Sequence, residues 1–370
     1  MAELALILLG SGRDLVAGDI LRGGTSIGSA RKPTEARADS GAQAAELAKT
    51  KATDRLARTT QAVNAMRQMQ ESARAAAGDG GVPDGLVAGG LKVLTGANAK
   101  WTGAAAPVQS GSTVTITQNA QQALLHWETF NVGKNTTVRF DQTAGGNDSS
   151  KWIAFNKIFD PSGKPSQIRG QIKADGQVYI INQNGIIFGA GSQVNARTLV
   201  ASALPINDTL VERGLLNQEA GKPFAFLFES ATAPGDVLVE AGASIQSPVS
   251  ADGNGGRIML VGSNVRNSGT LSTPAGQTIL AAGRQVGIDS HRQTSATVSD
   301  PSLRGIDVYI GDAGTGGTST NEGLIDVERG SAWLAGKTVA QLGVIESSTS
   351  VSLNGRVDLK ASYGAIPNSS

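Results

Sequence analysis

Asp307, Asp312, Asp326 and Glu328 are the side chains of this sequence that could be imagined in acid–base chemistry. Hydrolysis of a glycosidic bond needs two carboxylates at a fixed separation, one to protonate the leaving oxygen and one to activate water or attack. Lyase chemistry would need an acidic calcium site beside a basic residue. Nothing in the spacing of these four fixes such a pair, and they read as solvated surface carboxylates. The two histidines, His126 and His291, lie far apart, and no GxSxG motif accompanies them. Gly311–Gly317 (GDAGTGG) lacks the Lys-Ser/Thr ending of a phosphate cradle and is not the calcium nonapeptide repeat, so it reads as a flexible loop. The absence of cysteine excludes disulfides, thiolate catalysis and thiolate metal sites. The expectation is a non-enzymatic chain with no catalytic residues, metal or cofactor.

The residues with meaning lie elsewhere, in Gln171–Leu204, QIKADGQVYIINQNGIIFGAGSQVNARTLVASAL. Val178–Ile181 and Ile186–Phe188 are β-branched and aromatic runs, which predict short buried strands. Asn182-Gln183-Asn184-Gly185 separates them. Asn-Gly marks a tight turn, because both residues tolerate positive φ. A third apolar run, Leu199–Leu204, follows the small-residue spacer Gly189–Asn195. The predicted order is strand, corner, strand, corner, strand.

This stretch resembles the haemagglutination-activity signature, the N-terminal two-partner-secretion domain of filamentous haemagglutinin-like exoproteins. The matching residues are Ala174-Asp175-Gly176, Val178-Tyr179, Ile181-Asn182, Asn184-Gly185-Ile186, Phe188-Gly189, Val194-Asn195 and Leu199–Ser202. Gln183 departs from the family, which usually has Pro there. Pro presets φ at that turn position, so its loss costs about 0.4–1 kcal/mol of turn rigidity. Upstream, Trp127-Glu128-Thr129-Phe130-Asn131-Val132-Gly133 and Thr137-Val138-Arg139-Phe140 are similar to the family's W-x-x-F-N-[IV]-G segment and T-V-x-F strand. The weaker resemblance covers about Gly90–Val286.

Composition agrees with a chain of many short strands. It has 370 residues, 48 of them Gly, and only 4% aromatics, a mix that suits tight corners and small stacked side chains. A net charge of +1 offers no basic stripe for nucleic acid. No run of 18 apolar residues exists, so no transmembrane segment is expected. Met1–Gly18 holds a short apolar core, Leu4–Leu9, and a small-residue site, Val16-Ala17-Gly18. Its start lacks Lys and Arg, and Arg13-Asp14 interrupts it, so it reads as a degenerate or mis-started export signal. Asp19–Gly41 reads as a linker.

Ala42–Ala77 contains no Gly or Pro and predicts a helix, with a thin stripe of Leu56, Val63, Met66 and Met69 filled out by Ala62 and Ala73. From Leu91 the texture is β. The early strands form an N-terminal cap, with Trp127 and Phe130 in its core. Such a cap is needed because a solenoid end exposes unpaired backbone.

The C-terminal half repeats. Asn267-Ser268-Gly269-Thr270-Leu271 matches Asn321-Glu322-Gly323-Leu324-Ile325, and Gln341-Leu342-Gly343-Val344-Ile345 is a looser copy. Gly323 and Gly343 are 20 residues apart, a coil-like period. Gly269 and Gly323 are 54 apart, which leaves room for two coils plus an insertion at Asp289–Gly305. Val351–Leu359 still reads as coil, so the solenoid stops in mid-course, as in a truncated product or fragment.

Periodicity and resemblance point to one fold: a mainly β, right-handed single-stranded parallel β-helix (a pectin-lyase-like solenoid) with an N-terminal β cap and a helical extension. The expected division is 1–18 signal-like, 19–81 linker and helix, 90–290 secretion domain, and 291–370 continuing coils. The resemblance implies the secretion domain of a surface adhesin of a Gram-negative bacterium. It also implies recognition by the POTRA domains of an outer-membrane β-barrel transporter, and folding outside the cell. A host or neighbouring-cell glycan or protein would be the adhesion target. Asn182–Gly185 is expected to be needed for export, flanked by Gly176, Tyr179, Ile186, Phe188 and Asn195. The alternatives are a β-helical glycan-binding protein or polysaccharide-active enzyme, and the stalk of a contact-dependent toxin.

Overall fold

A computed structural model describes residues 36–78, 81–206, 224–230, 232–249, 255–290, 305–311, 317–347 and 356–361. Runs of three to six β-formers alternate here with Gly, Asn and Ser, so the chain extends briefly and then turns. Each circuit lays one strand on each of three sheets. The circuit through the signature places Gln177–Ile181 on a long sheet, Ile186–Phe188 on a short sheet and Gln193–Asn195 on a middle sheet. Thr198–Ser202 then pairs in parallel with Gln177–Ile181, residue against residue from Gln177↔Thr198 to Ile181↔Ser202. The result is a parallel β-helix. The spacer Gly189–Asn195 therefore contains a strand that small, polar residues concealed.

Alternation within each strand sends one set of side chains inward. Val178, Ile180, Leu199, Ala201, Ile258, Leu260, Leu280 and Leu334 stack along the long sheet in the solenoid core. The opposite face of that sheet is also covered. Phe226–Leu227, Gln285–Ser290 and Ile306–Ile310 form a lateral antiparallel sheet. Its Phe226, Val286, Ile288 and Val308 bury Phe155, Tyr179, Met259 and Ile279 in a second apolar cluster.

That lateral sheet corrects the repeat count. Asn321 hydrogen-bonds Asn267 directly across 54 residues, and Gly323 N–H donates to Asn267 O. Those residues make one coil with a long excursion from the long sheet, not two coils.

Antiparallel additions close the N-terminal end. Leu91–Val93 and Trp101–Thr102 pair with Gln122–Phe130, and Val108–Ser110 folds back on Thr113–Thr117. Gln122–Phe130 and Thr113–Thr117 are themselves parallel members of the first coil. Asp84 seals the seam, accepting hydrogen bonds from Asn135 N–H, Asn135 Nδ2 and Thr136 Oγ1.

The helix runs from Ala36 to Ala75. Its docked face differs from the expected stripe, because Leu56 is 45% and Met69 65% exposed. It binds instead through Val63, which is buried, and through polar groups. Gln70 accepts from Gly242 N–H at 2.7 Å and donates to Ser268 O at 2.8 Å, bridging two coils. Arg74 donates to Gly242 O, and Arg67 pairs with Glu346. No helix among the described residues is long and apolar enough to cross a membrane. The signal-like segment, the linker to residue 35, the excursion from 207 to 221, the insertion core 291–304 and the coil reading at 351–355 lie outside the described residues, as does the tail 363–370.

Candidate functional site

The signature residues meet at the corner between the long and short sheets. Asn182 leaves the long sheet fully buried. Its Oδ1 accepts from Asn184 N–H at 3.0 Å, and its carbonyl accepts from Gly185 N–H at 2.9 Å. A short polar side chain that caps its own turn is the reason Asn suits this place. Gly185 has φ +107°, and a Cβ there would lie 2.8 Å from Asp236 O. Both facts demand glycine.

The corner is also stitched to the coils on either side. Toward the N-terminal end, Asn182 Nδ2 donates to Ser166 Oγ and Asn184 Nδ2 to Asp160 O. Toward the C-terminal end, Gly235 N–H donates to Gln183 O, and Ile186 N–H to Asp236 O. Asp236 Oδ1 then accepts from Asn264 N–H and Nδ2, and Asn264 Oδ1 accepts from Thr318 N–H. A polar column runs up this edge through successive coils. Only Gln183, the residue that departs from the family, is exposed at the turn.

The flanking residues have separate tasks. Gly176 N–H donates to buried Gln142 Oε1 at 2.6 Å, and a Cβ at Gly176 would lie 2.5 Å from two carbonyl oxygens. Tyr179 faces the lateral sheet, edge-on to Phe155 at 4.8 Å. Burial pushes its phenol up to about 12, against the field of Arg257. Ile186 and Phe188 fill the solenoid core. Asn195 points outward, exposed, with no side-chain partner among the described residues. Trp127 and Phe130 are fully buried in the first coil. The Trp127 ring lies edge-on to Trp101 and Phe130, and its Nε1 donates to Asn156 Oδ1.

The four carboxylates do not converge. Asp307 lies on the lateral sheet opposite Asp289, whereas Asp326 and Glu328 lie on the middle sheet. Asp312 is outside the described residues. Burial raises the Asp326 carboxyl above the ordinary range, and Glu328 raises it further; Arg67 of the helix opposes them. His126 sits 2.9 Å from Asn98 O and beside Phe159, while His291 is outside the described residues. No group of three potential metal ligands exists among the described residues.

Sequence reasoning missed a buried amide ladder. Asn267 Nδ2 donates to Asn321 Oδ1 at 2.8 Å, and Asn321 Nδ2 to Gln341 Oε1 at 3.0 Å. The signal was present in the repeats, whose first residues are these three. It also missed the Arg169–Glu240 pair, whose partners are 71 residues apart.

A family model described as the TPS secretion domain matches residues 93–357. A heme/hemopexin-binding protein of Haemophilus influenzae is 33% identical over 89 residues, 24% of this chain and 9% of that protein. The same protein from strain Rd is 33% identical over 92 residues, again 9% of its length. The crystal structure of the HMW1 secretion domain from Haemophilus influenzae aligns with TM-score 0.58 and 21% identity. That alignment covers 74% of this chain and 64% of the other, and it shows a shared fold.

Proposed function

The chain belongs to the TPS (two-partner) secretion-domain family, and from that premise we propose a route and a purpose for it. It is the secretion domain of an adhesin that reaches the cell surface or medium through the periplasm. POTRA domains of its cognate outer-membrane β-barrel transporter receive it there. It threads through the pore and stacks its coils outside. Residues 90–290 are the unit the transporter handles, and 291–370 are coils that continue it. Segment 1–18 is a degenerate signal-like stretch, and 19–81 is a linker and helical extension. The adhesion target is a glycan or protein of another cell surface.

The observation behind this reading is the corner at Asn182–Gly185, which bonds to the coils on both sides. A chain that must fold after export needs coils that template one another, and this corner is where one coil sets the next. Asn182–Gly185 and the flanking strands are therefore required for export through their folding.

The test is secretion. Residues 19–370, behind a working signal peptide, are co-expressed with a cognate two-partner outer-membrane transporter. Transporter-dependent appearance of the parent in the medium, lost with Asn184→Ala plus Gly185→Val, supports the reading. A parent that stays in the periplasm as a folded, protease-resistant protein overturns it.

A further inference from the structure

The helix Ala36–Ala75 follows one edge of the solenoid, where the short sheet turns into the middle sheet. It grips that edge at successive corners. At the corner of the first coil, Lys134 Nζ donates to Ala77 O at 2.7 Å, just past the helix end. Further along, a Cβ at Gly191 would lie 3.2 Å from the Ala77 methyl. At the next corner a Cβ on Gly242 would lie 2.6 Å from Arg74 N, so the missing side chain makes room for the helix backbone. Gln70 ties Gly242 N–H to Ser268 O, and Arg74 donates to Gly242 O. The helix then reaches the strands Leu324–Glu328 and Val344–Ser347, with Arg67 on Glu346.

The solenoid is built to receive it there. One outward row of the middle sheet is polar on every coil from Thr113 to Thr270, and its next two members are Leu324 and Val344. Apolar residues enter this row only where the helix crosses it. Leu324, although outward, is buried, and so is Val63 of the helix. The Arg67–Glu346 pair is half-exposed and adds little energy, but it marks the far end of the grip. Its partners are 279 residues apart. A solenoid coil contacts chiefly its neighbours, so an end can fray one coil at a time. A rod that holds corners from the first coil to the last described one removes that freedom. Closing so long a loop costs entropy, and the cost is met only once both ends of the grip exist.

We propose that this helix is a latch. It docks after the coils have stacked, opens before they part, and sets the rate at which the solenoid unravels. The coils that receive Val63 and Arg67 come last among those it touches, so the segment that precedes the coils in the chain is the last to settle. Bonds made after the folding transition state slow unfolding and leave folding unchanged. On the route proposed above, the latch closes outside the cell, on the finished stack. The inference goes beyond that route and does not depend on it.

The test is urea-jump kinetics of the full chain. Its four tryptophans, Trp101, Trp127, Trp152 and Trp333, all lie outside the helix, so their fluorescence follows the coils. Gln70→Ala plus Arg74→Ala removes three hydrogen bonds between helix and corners. It should raise the unfolding rate about tenfold and leave the folding rate within about twofold of the parent's. Arg58→Ala plus Gln61→Ala makes the same replacements at exposed positions of the helix and should leave both rates unchanged. Hydrogen exchange under native conditions reads the order of opening. In the parent, Gly242 N–H, which donates to Gln70, should exchange faster than Ser244 N–H, which donates to Ser192 O. An unchanged unfolding rate in the Gln70/Arg74 variant overturns the proposal. A destabilisation expressed in the folding rate also overturns it, because the helix would then dock in the transition state. So does Gly242 N–H exchanging in step with Ser244 N–H, because helix and coils would then open as one unit.

Discussion

Arg169 reaches across Gly189 to Glu240, two coils further on, and places Nη1 2.8 Å from Oε2. The path is open only because residue 189 has no side chain: a Cβ there would lie 2.4 Å from the arginine. Glu240 also accepts from Ala190 N–H at 2.9 Å, so the pair clamps three consecutive coils. Arg169 is 16% exposed and Glu240 39%, which places the pair between a buried and a surface ion pair. Glu240→Gln should destabilise by about 1–2 kcal/mol, below the value for a fully buried pair. Gly189→Ala should cost a similar amount by displacing Arg169. The two should be non-additive in a double-mutant cycle followed by urea unfolding, because each removes the same interaction. Full additivity would mean that the pair is not what Gly189 preserves.

The signature corner makes a graded prediction. Asn184→Ala removes one hydrogen bond to Asp160 O and should cost about 0.5–1.5 kcal/mol. Gly185→Val forces a β-branched residue to positive φ and drives Cβ toward Asp236 O, so it should exceed 3 kcal/mol, roughly a strain term plus overpacking. Thermal unfolding of the single mutants orders them. Equal losses would show that the corner tolerates a side chain at 185.

Much of this architecture was legible because corners and strands obey local rules. Asn184-Gly185 is a turn in the sequence and in the fold, where Asn182 Oδ1 accepts from Asn184 N–H. Val178–Ile181 and Ile186–Phe188 are apolar enough to declare themselves as strands. What stayed hidden depends on stacking. Gln193–Asn195 has one inward side chain, Val194, between two exposed polar residues, too short a pattern to announce a strand. The 54-residue coil misled because a sequence repeat gives the distance between matching corners and not what lies between them. The helix stripe failed because its docking is mostly polar: Gln70 and Arg74 bond backbone groups at the corners, and hydrophobic periodicity does not see that. The column of bonds along the signature corner had no local trace, since its members come from different coils.

The amide ladder should be unforgiving in one direction. Asn321→Ala leaves Asn267 Nδ2 and Gln341 Oε1 without their partner inside the solenoid, which should cost about 2–3 kcal/mol. Replacing Asn267 by Val copies its neighbour in the preceding coil, Val239, so shape is preserved. It should cost less than Asn321→Ala, because Asn321 keeps its bond to Gln341. Hydrogen exchange at Gly269, which donates to Asn267 Oδ1, should accelerate in the Asn267 variant. An Asn267 variant as damaged as the Asn321 variant would argue that the ladder acts as one cooperative unit.

Two aspartates should respond to pH in opposite senses. The Asn135 side-chain amide, then its N–H, with the Thr136 hydroxyl, hold Asp84 below the ordinary range. Its contribution to sealing the cap is present above the ordinary carboxylate pKa and is lost as pH falls through the lowered value. Asp326 is the reverse. Burial, then Glu328, raises its carboxyl. Stability linked to it is fully present below the ordinary pKa and is lost as pH rises through the raised value. Facing it are Glu328 on its own strand, Ser272 and Glu346 on the adjacent coils, and Arg67 on the helix. The parent should therefore gain stability at this site in mild acid relative to neutral pH, and Asp326→Asn should remove that part of the dependence. Arg67 alone of the helix acts on Asp326, and it favours the ionised carboxylate, so the raised value belongs to the stacked coils and not to helix docking. The measurement is thermal unfolding of parent and variant across the acidic range. A variant whose profile matches the parent's would mean that Asp326 does not carry the dependence.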